Sequence, residues 1–317
     1  MGRKLCFMYS GQGSQYYGMA RLLYSENSVF KSNMDKLDSI ANGIIGDSII
    51  SKMYSSEKAY TDKFDSIVYT HPAIYMVEYS LTQVLRELGL IPDFLMGNSL
   101  GELVSMAAAG AISPENMLEF VCFQALLIEN KCQPGGMIAV QGNKQVFRDI
   151  YSQGIGIELA AVIHNNQFVI SGNRRFIDLA DHYLKSHKIP YIRLPIAYGF
   201  HSSNIDPIKP DYLKLARDMK FGKANIPIYT CSQPGELYEV NDQILWMIIR
   251  GSFDFIGSLE IVSKMRNTIF VDLGPSGMLS NNAKVILRKR DGIYSIITPF
   301  NTEGKRIKQI INDVCTV

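Results

Sequence analysis

Gly97-Asn98-Ser99-Leu100-Gly101 constrains this chain more than any other stretch. A serine flanked by glycines two residues away on each side matches G-x-S-x-G, the sharp turn that carries a chain from a strand into a helix. The flanks agree, since Phe94-Leu95-Met96 reads as a short buried strand and the small-residue run Val104 to Ala109 as a helix. A turn that tight needs glycine wherever a Cβ would clash. It lifts the serine hydroxyl to the mouth of a sheet, at the positive end of a helix. The Leu100 amide can then help to stabilise an oxyanion. The pattern predicts acyl-transfer chemistry through a covalent acyl-Ser99, against the plainer reading of a Gly-Ser loop.

The 317 residues, 47% apolar and 20% charged, can bury a large core as one big domain or as a domain with an insert. A net charge of +2 gives no reason to expect nucleic acid or a membrane surface as partner. No run of about 18 apolar residues exists to span a bilayer. Met1-Gly2-Arg3-Lys4 leads straight into a strand-like run without a cleavage site, so no secretory leader is expected. Cys6 stands where a myristoylation signal requires serine or threonine. The five cysteines, Cys6, Cys122, Cys132, Cys231 and Cys315, are scattered and form no C-x-x-C pair. That usage predicts reduced thiols in a cytoplasmic protein, with no metal site.

Along the chain, Leu5 to Tyr9 reads as a strand entering the loop Ser10 to Gln15, and residues 16–60 as helical segments broken by polar turns. His71-Pro72 is expected to start a long helix, roughly Ala73 to Leu88. Ser113-Pro114 is a strong helix start, serine as cap and proline at the first helical position, and that helix should run to about Lys131. The texture then changes: strand-like runs at Met137 to Gln141, Ile157 to Ile163, Phe168 to Ser171 and Ile189 to Leu194 alternate with helical stretches near Lys144 to Gln153 and Arg175 to His187. This βαββαβ order predicts a ferredoxin-like subdomain over 137–196, inserted into a larger unit formed by 1–136 and 197–317. Ile226 to Thr230 and Ile269 to Leu273 return to buried-strand texture and should rejoin the larger unit.

A serine nucleophile needs a base. Of the five histidines, His182 and His187 lie in a polar helical stretch and read as surface. His201 lies in Ala197-Tyr198-Gly199-Phe200-His201-Ser202-Ser203, a loop after the last strand of the insert from which a side chain can reach across a cleft. Spacing does not choose the group that orients it; Asp206, Asp254, Asp272 and a backbone carbonyl all remain open.

Gly11-Gln12-Gly13-Ser14-Gln15, Gly97 to Glu102, Gly135-Gly136-Met137, Gly199-Phe200-His201-Ser202 and Gly274-Pro275 follow one another in this order. In that series the chain resembles malonyl-CoA:acyl-carrier-protein transacylases and the acyltransferase domains of polyketide synthases, over nearly its whole length. The resemblance implies an α/β fold, an α/β-hydrolase-like large subdomain carrying an inserted ferredoxin-like small one. It implies a dyad in the cleft between them, with Ser99 as nucleophile and His201 as base, the histidine oriented by a backbone carbonyl. The oxyanion hole would be the backbone amides of Gln12 and Leu100. No cofactor is implied. The expected partner is an acyl carrier protein, whose phosphopantetheine arm is substrate, and the chain is expected to act as a monomer. Lys284, Arg288, Lys289 and Arg290 could meet such an acidic partner, or could simply end a solvated helix.

Two departures from the family pattern bear on the substrate. Asn98 stands where the family usually has a histidine lining the acyl pocket. Gln124 stands where malonyl-specific members carry an arginine whose guanidinium forks onto the malonyl carboxylate. No arginine occurs between Arg86 and Arg148, and Lys131 lies about two turns beyond Gln124. Met117, Val121, Gln124 and Ile128 share one helix face, so the glutamine should sit in an apolar stripe. A malonyl carboxylate entering such a pocket would lose its water without gaining a counter-charge, which costs about 2–5 kcal/mol. The combination resembles the discrete acyl hydrolases that accompany trans-acyltransferase polyketide synthases, which clear stalled or wrong acyl groups from carrier proteins. Phe200 is shared with malonyl-type domains and fits the alternative, a transacylase with an altered pocket. A silent carrier-binding scaffold and a lipid esterase are further alternatives. The intact Ser99 and His201 oppose the first, and the Gln12 loop and the insert oppose the second.

Overall fold

The computed structural model describes residues 3–265, 267–300 and 302–315, Cys315 by its backbone alone. The opening Met1-Gly2 and the Cys315 side chain lie outside the described residues. The strands are β1 (Lys4–Tyr9), β2 (Phe94–Gly97), β3 (Gly135–Gln141), β4 (Glu158–His164), β5 (Gln167–Asn173), β6 (Tyr191–Arg193), β7 (Ile228–Thr230), β8 (Gly235–Leu237), β9 (Phe253–Asp254), β10 (Thr268–Asp272) and β11 (Ile293–Ser295).

Two sheets result. The larger runs β11-β10-β1-β2-β7-β8; its first five strands are parallel and β8 closes the edge antiparallel to β7. Parallel strands are covered on both faces, and β1 meets that demand with an unbroken buried run from Leu5 to Tyr9. Helices Ser28–Ile45, Ile67–Glu87 and Pro114–Lys131 pack against one another beside this sheet. Their caps are the ones the sequence encodes: Asn27 Oδ1 accepts from the Phe30 amide, and Ser113 Oγ from the Asn116 amide with Pro114 following it.

The smaller sheet runs β6-β3-β5-β4-β9, and its first four strands have the antiparallel ferredoxin-like order. Strand alternation divides its residues between two tasks. Ile138, Val140, Phe168 and Ile170 face the helices Lys144–Ser152 and Arg174–Ser186 in a core of their own. Met137, Ala139 and Val169, the intervening residues, line the cleft toward the larger sheet. The fifth strand comes from outside 137–196: β9 pairs in parallel with β4 through Ala161↔Phe253 and Val162↔Asp254. Two residues carry no periodicity, so nothing in the sequence announces this graft.

One expected boundary is corrected. The helix expected to begin at His71-Pro72 spans Ile67–Glu87 and keeps Pro72 in its interior. Ile67, Thr70, His71 and Ile74 are all buried at helical spacing. Tertiary packing of that face holds the first turn together beyond a residue that cannot donate to the helix.

Candidate active site

The loops at the carboxyl ends of β1, β2, β7 and β10 gather at one end of the large sheet, where open α/β sheets place their ligands. Three buried carboxylates hold those loops. Glu78 Oε1 accepts from the amide and hydroxyl of Ser10 at 2.8 and 2.6 Å. Glu102 takes the Ser232 amide at 2.9 Å and its hydroxyl at 2.7 Å. Asp272 takes the amides of Gly274 and Ser280 at 2.9 and 2.8 Å. Burial pushes all three up, Glu102 and Asp272 to about 7 and Glu78 well above the ordinary carboxylate range. None of the three was assigned this anchoring role from the sequence, where Asp272 figures only as a candidate partner for His201.

The elbow forms as the motif requires. A Cβ on Gly101 would stand 2.1 Å from the Tyr9 carbonyl oxygen, and one on Gly97 2.3 Å from the Glu102 Cα. Only glycine lets the helix Leu100–Ala108 lie this close to β1 and β2. Ser99 sits at φ 55°, ψ −119°, a region that costs a side-chain-bearing residue about 1–3 kcal/mol. Its hydroxyl caps nothing and instead donates to His201 Nε2 at 2.9 Å.

His201 is also at positive φ, 59°, with its amide on the Ile249 carbonyl at 3.1 Å. Its Nδ1 donates to the Gly251 carbonyl at 2.7 Å, which leaves Nε2 unprotonated and facing Ser99. The orienting group is therefore the backbone carbonyl. Asp206 is bound instead by Arg250 Nε at 2.6 Å, and Asp254 caps the helix Phe255–Ser263 through the Gly257 amide. Arg250 also reaches Glu158 of β4 at 3.1 Å, and Glu158 accepts from the Ser203 amide at 2.6 Å, so the histidine loop is clamped to the small sheet. Burial pulls His201 down to about 4, with Arg250 adding to the effect and the Gly251 carbonyl opposing it. The imidazole is thus neutral at pH 7.

Gln12 and Leu100 border the same cavity, and neither backbone amide has an acceptor among the described residues. A Cβ on Gly11 would lie 3.2 Å from Ser99 Cβ and 3.5 Å from the Leu100 amide, which places the Gly11-Gln12 strand of the loop directly against the elbow. Two such amides beside a serine hydroxyl could together hold an oxyanion.

The cavity, about 260 Å³, extends from Ser99 between the two sheets. Asn98, Gln124 and Phe200 all line it, and among the described residues no aspartate, glutamate, lysine or arginine does. Lys131 points elsewhere and pairs with Asp211 at 2.5 Å. Gln124 lies on the buried face with Met117, Val121 and Ile128, as its spacing predicts. Its Nε2 contacts His71 Nδ1 at 3.3 Å, and the His71 ring leans on Phe200 at 5.4 Å between centroids. His71 lines the cavity and was given no place in the site from the sequence; its position on the buried face with Ile67, Thr70 and Ile74 was the available signal. Lys284, Arg288, Lys289 and Arg290 flank a groove on the outer side of the helix Met278–Ile286, whose Met278 and Asn282 reach the cavity.

Comparison with known proteins gives the family and the fold. Residues 6–293 match the family described as acyl transferase domain. The chain is 38% identical, over 98% of its length and 96% of the relative's, to the polyketide biosynthesis acyltransferase homolog PksD of Bacillus subtilis. It is 35% identical, over 99% and 98% of the two chains, to the homolog BaeD of Bacillus velezensis. Among solved structures, MCAT from Streptococcus pneumoniae superposes with a TM-score of 0.81 at 22% identity, over 99% of this chain and all of that one, a likeness of fold. A positive-φ serine bonded to a neutral histidine, on a fold and sequence shared with these proteins, makes this chain a member of the acyltransferase domain family.

Proposed function

We propose that this protein is an acyl-acyl-carrier-protein hydrolase, removing stalled or wrong acyl groups from carrier proteins in polyketide biosynthesis. In this reading 1–136 and 197–317 form the catalytic subdomain and 137–196 the insert. The observation that carries it is the uncharged cavity: Gln124 lines it and, among the described residues, no cationic side chain does. A malonyl carboxylate would be buried there unpaired, whereas a neutral acyl chain meets Met137, Ala139, Val169 and Ile249.

Ser99 Oγ attacks the thioester carbonyl while its proton passes to His201 Nε2. The Gln12 and Leu100 amides hold the oxyanion. The C–S bond breaks, and the carrier thiol leaves with the proton from His201. Water then adds to the acyl-Ser99 ester, giving its proton to His201. Collapse releases the free acid and restores Ser99. The basic groove beside the helix Met278–Ile286 supplies a surface for an acidic carrier protein. The names of the relatives favour a second reading, in which a carrier thiol replaces water in the last step.

An intact-mass time course separates the two. Malonyl-loaded and butyryl-loaded carrier proteins are each mixed with the enzyme and with Ser99→Ala. Loss of butyryl as free acid, survival of malonyl and an inert variant support the hydrolase. Stable malonyl loading followed by transfer to an empty carrier protein overturns it.

A further inference from the structure

Residues 249–254 meet both the histidine loop and the small sheet in one short run. The Ile249 carbonyl takes the His201 amide at 3.1 Å, and the Gly251 carbonyl takes Nδ1 at 2.7 Å. Phe253 and Asp254 pair with Ala161 and Val162 of β4. Between the two carbonyls stands Arg250, whose Nε donates to Asp206 at 2.6 Å and whose Nη1 donates to Glu158 at 3.1 Å. Glu158, the first residue of β4, takes the Ser203 amide on its other oxygen at 2.6 Å. One guanidinium therefore holds the chain downstream of His201 twice, directly at Asp206 and through Glu158 at Ser203.

That loop needs holding. His201 has φ 59°, a left-handed conformation that is costly for a residue with a side chain and persists only where the surroundings over-determine it. On the other side, the helix Asp242–Arg250 ends at Gly251, whose amide returns to the Met247 carbonyl and whose carbonyl fixes which imidazole nitrogen faces Ser99. Without its two carboxylates, Arg250 would no longer tie this turn to the loop opposite. We propose that Arg250 is a positioning residue for the base: its fork joins Asp206 to Glu158 and so keeps the His201 imidazole in line with Ser99 Oγ. A lysine offers one compact ammonium in place of a planar fork and does not match that geometry. The Arg250 side chain is 27% exposed, so its ion pairs add little to stability and their effect falls on geometry. The inference rests on reading Ser99 and His201 as nucleophile and base.

The test reads phosphonylation of Ser99 by an alkyl fluorophosphonate, followed by intact mass, which needs nucleophile and base but no carrier protein. Saturation kinetics separate the maximal rate from the half-saturating concentration. Arg250→Met should lower the maximal rate about 30- to 100-fold and leave half-saturation within about threefold of wild type. The melting temperature should fall by no more than about 3 °C, a split that a merely structural role would not give. Arg250→Lys should stay within about threefold of the methionine variant. Glu158→Gln should also slow the reaction, and the double variant should be no slower than the worse single, because both cut one chain of contacts. A folded Arg250→Met within threefold of the wild-type rate overturns the proposal. So does a lysine variant at the wild-type rate, or losses that multiply in the double variant. Should Arg250→Met fail to fold, Glu158→Gln decides by the same rate threshold. If wild-type Ser99 is labelled but a butyryl thioester yields no free acid, the hydrolase reading fails while the Arg250 comparison still decides this one. If Ser99 is not labelled, both fall.

Discussion

Replacing Gln124 with arginine tests the uncharged floor directly. The side chain sits on the buried face of the helix Pro114–Lys131 and borders a cavity that no charged side chain lines among the described residues. A guanidinium there would meet a malonyl carboxylate as a desolvated pair. Removing one partner of such a pair costs about 2–5 kcal/mol. Supplying it should return a similar amount, roughly 30- to 4,000-fold in rate ratio at 1.4 kcal/mol per decade. Two features pull the gain toward the lower end. The cavity, at about 260 Å³, leaves room for water beside the ion pair. In the free variant the cation has no carboxylate to face, so the fold loses on the order of 3 kcal/mol. The expected outcome is a rise of about 30- to 300-fold in the malonyl-to-butyryl ratio of acyl-Ser99 formation. Intact mass with both loaded carrier proteins reads it, with a thermal melt to show the variant is folded. A ratio that moves less than threefold in a folded variant refutes the argument. So does a wild-type enzyme that takes malonyl as fast as butyryl.

Two further outcomes follow from the geometry. Because burial holds His201 near 4, the base stays unprotonated as pH falls from 7 to 5, and kcat/KM on a small acyl thioester should stay nearly flat over that range. A histidine at the ordinary value of about 6.5 would lose roughly 30-fold by pH 5, so an acid limb between pH 6 and 7 would sink the assignment. Gly101→Ala drives a methyl to 2.1 Å from the Tyr9 carbonyl oxygen and should destabilise the fold by about 1–3 kcal/mol or more, with about 10²-fold less activity from a displaced Ser99. Gly43→Ala, in the helix Ser28–Ile45 with nothing within 4 Å, should instead stabilise by about 0.5–1 kcal/mol; chemical denaturation of both variants checks the contrast.

Much of this protein was legible in its residues because the signals are local. The glycines around Ser99 encode a turn that only glycine permits, and the βαββαβ texture encodes the small sheet through short-range periodicity. Helical spacing was enough to put Gln124 on a buried stripe. The tertiary structure decided what depends on approach between distant segments. Ser99 and His201 are 102 positions apart, and their 2.9 Å contact exists because β9, drawn from the larger unit, stitches onto β4 while Arg250 ties the histidine loop to Glu158. The choice of the Gly251 carbonyl over Asp206, Asp254 or Asp272 follows from where three aspartates find other partners. Likewise His71 reads in sequence as one residue beside a proline. Its place under Phe200 and against Gln124 arises because packing extends the helix back to Ile67. Local pattern determines which elements form, but hydrogen-bond partners and desolvation are set by what the folded chain brings near.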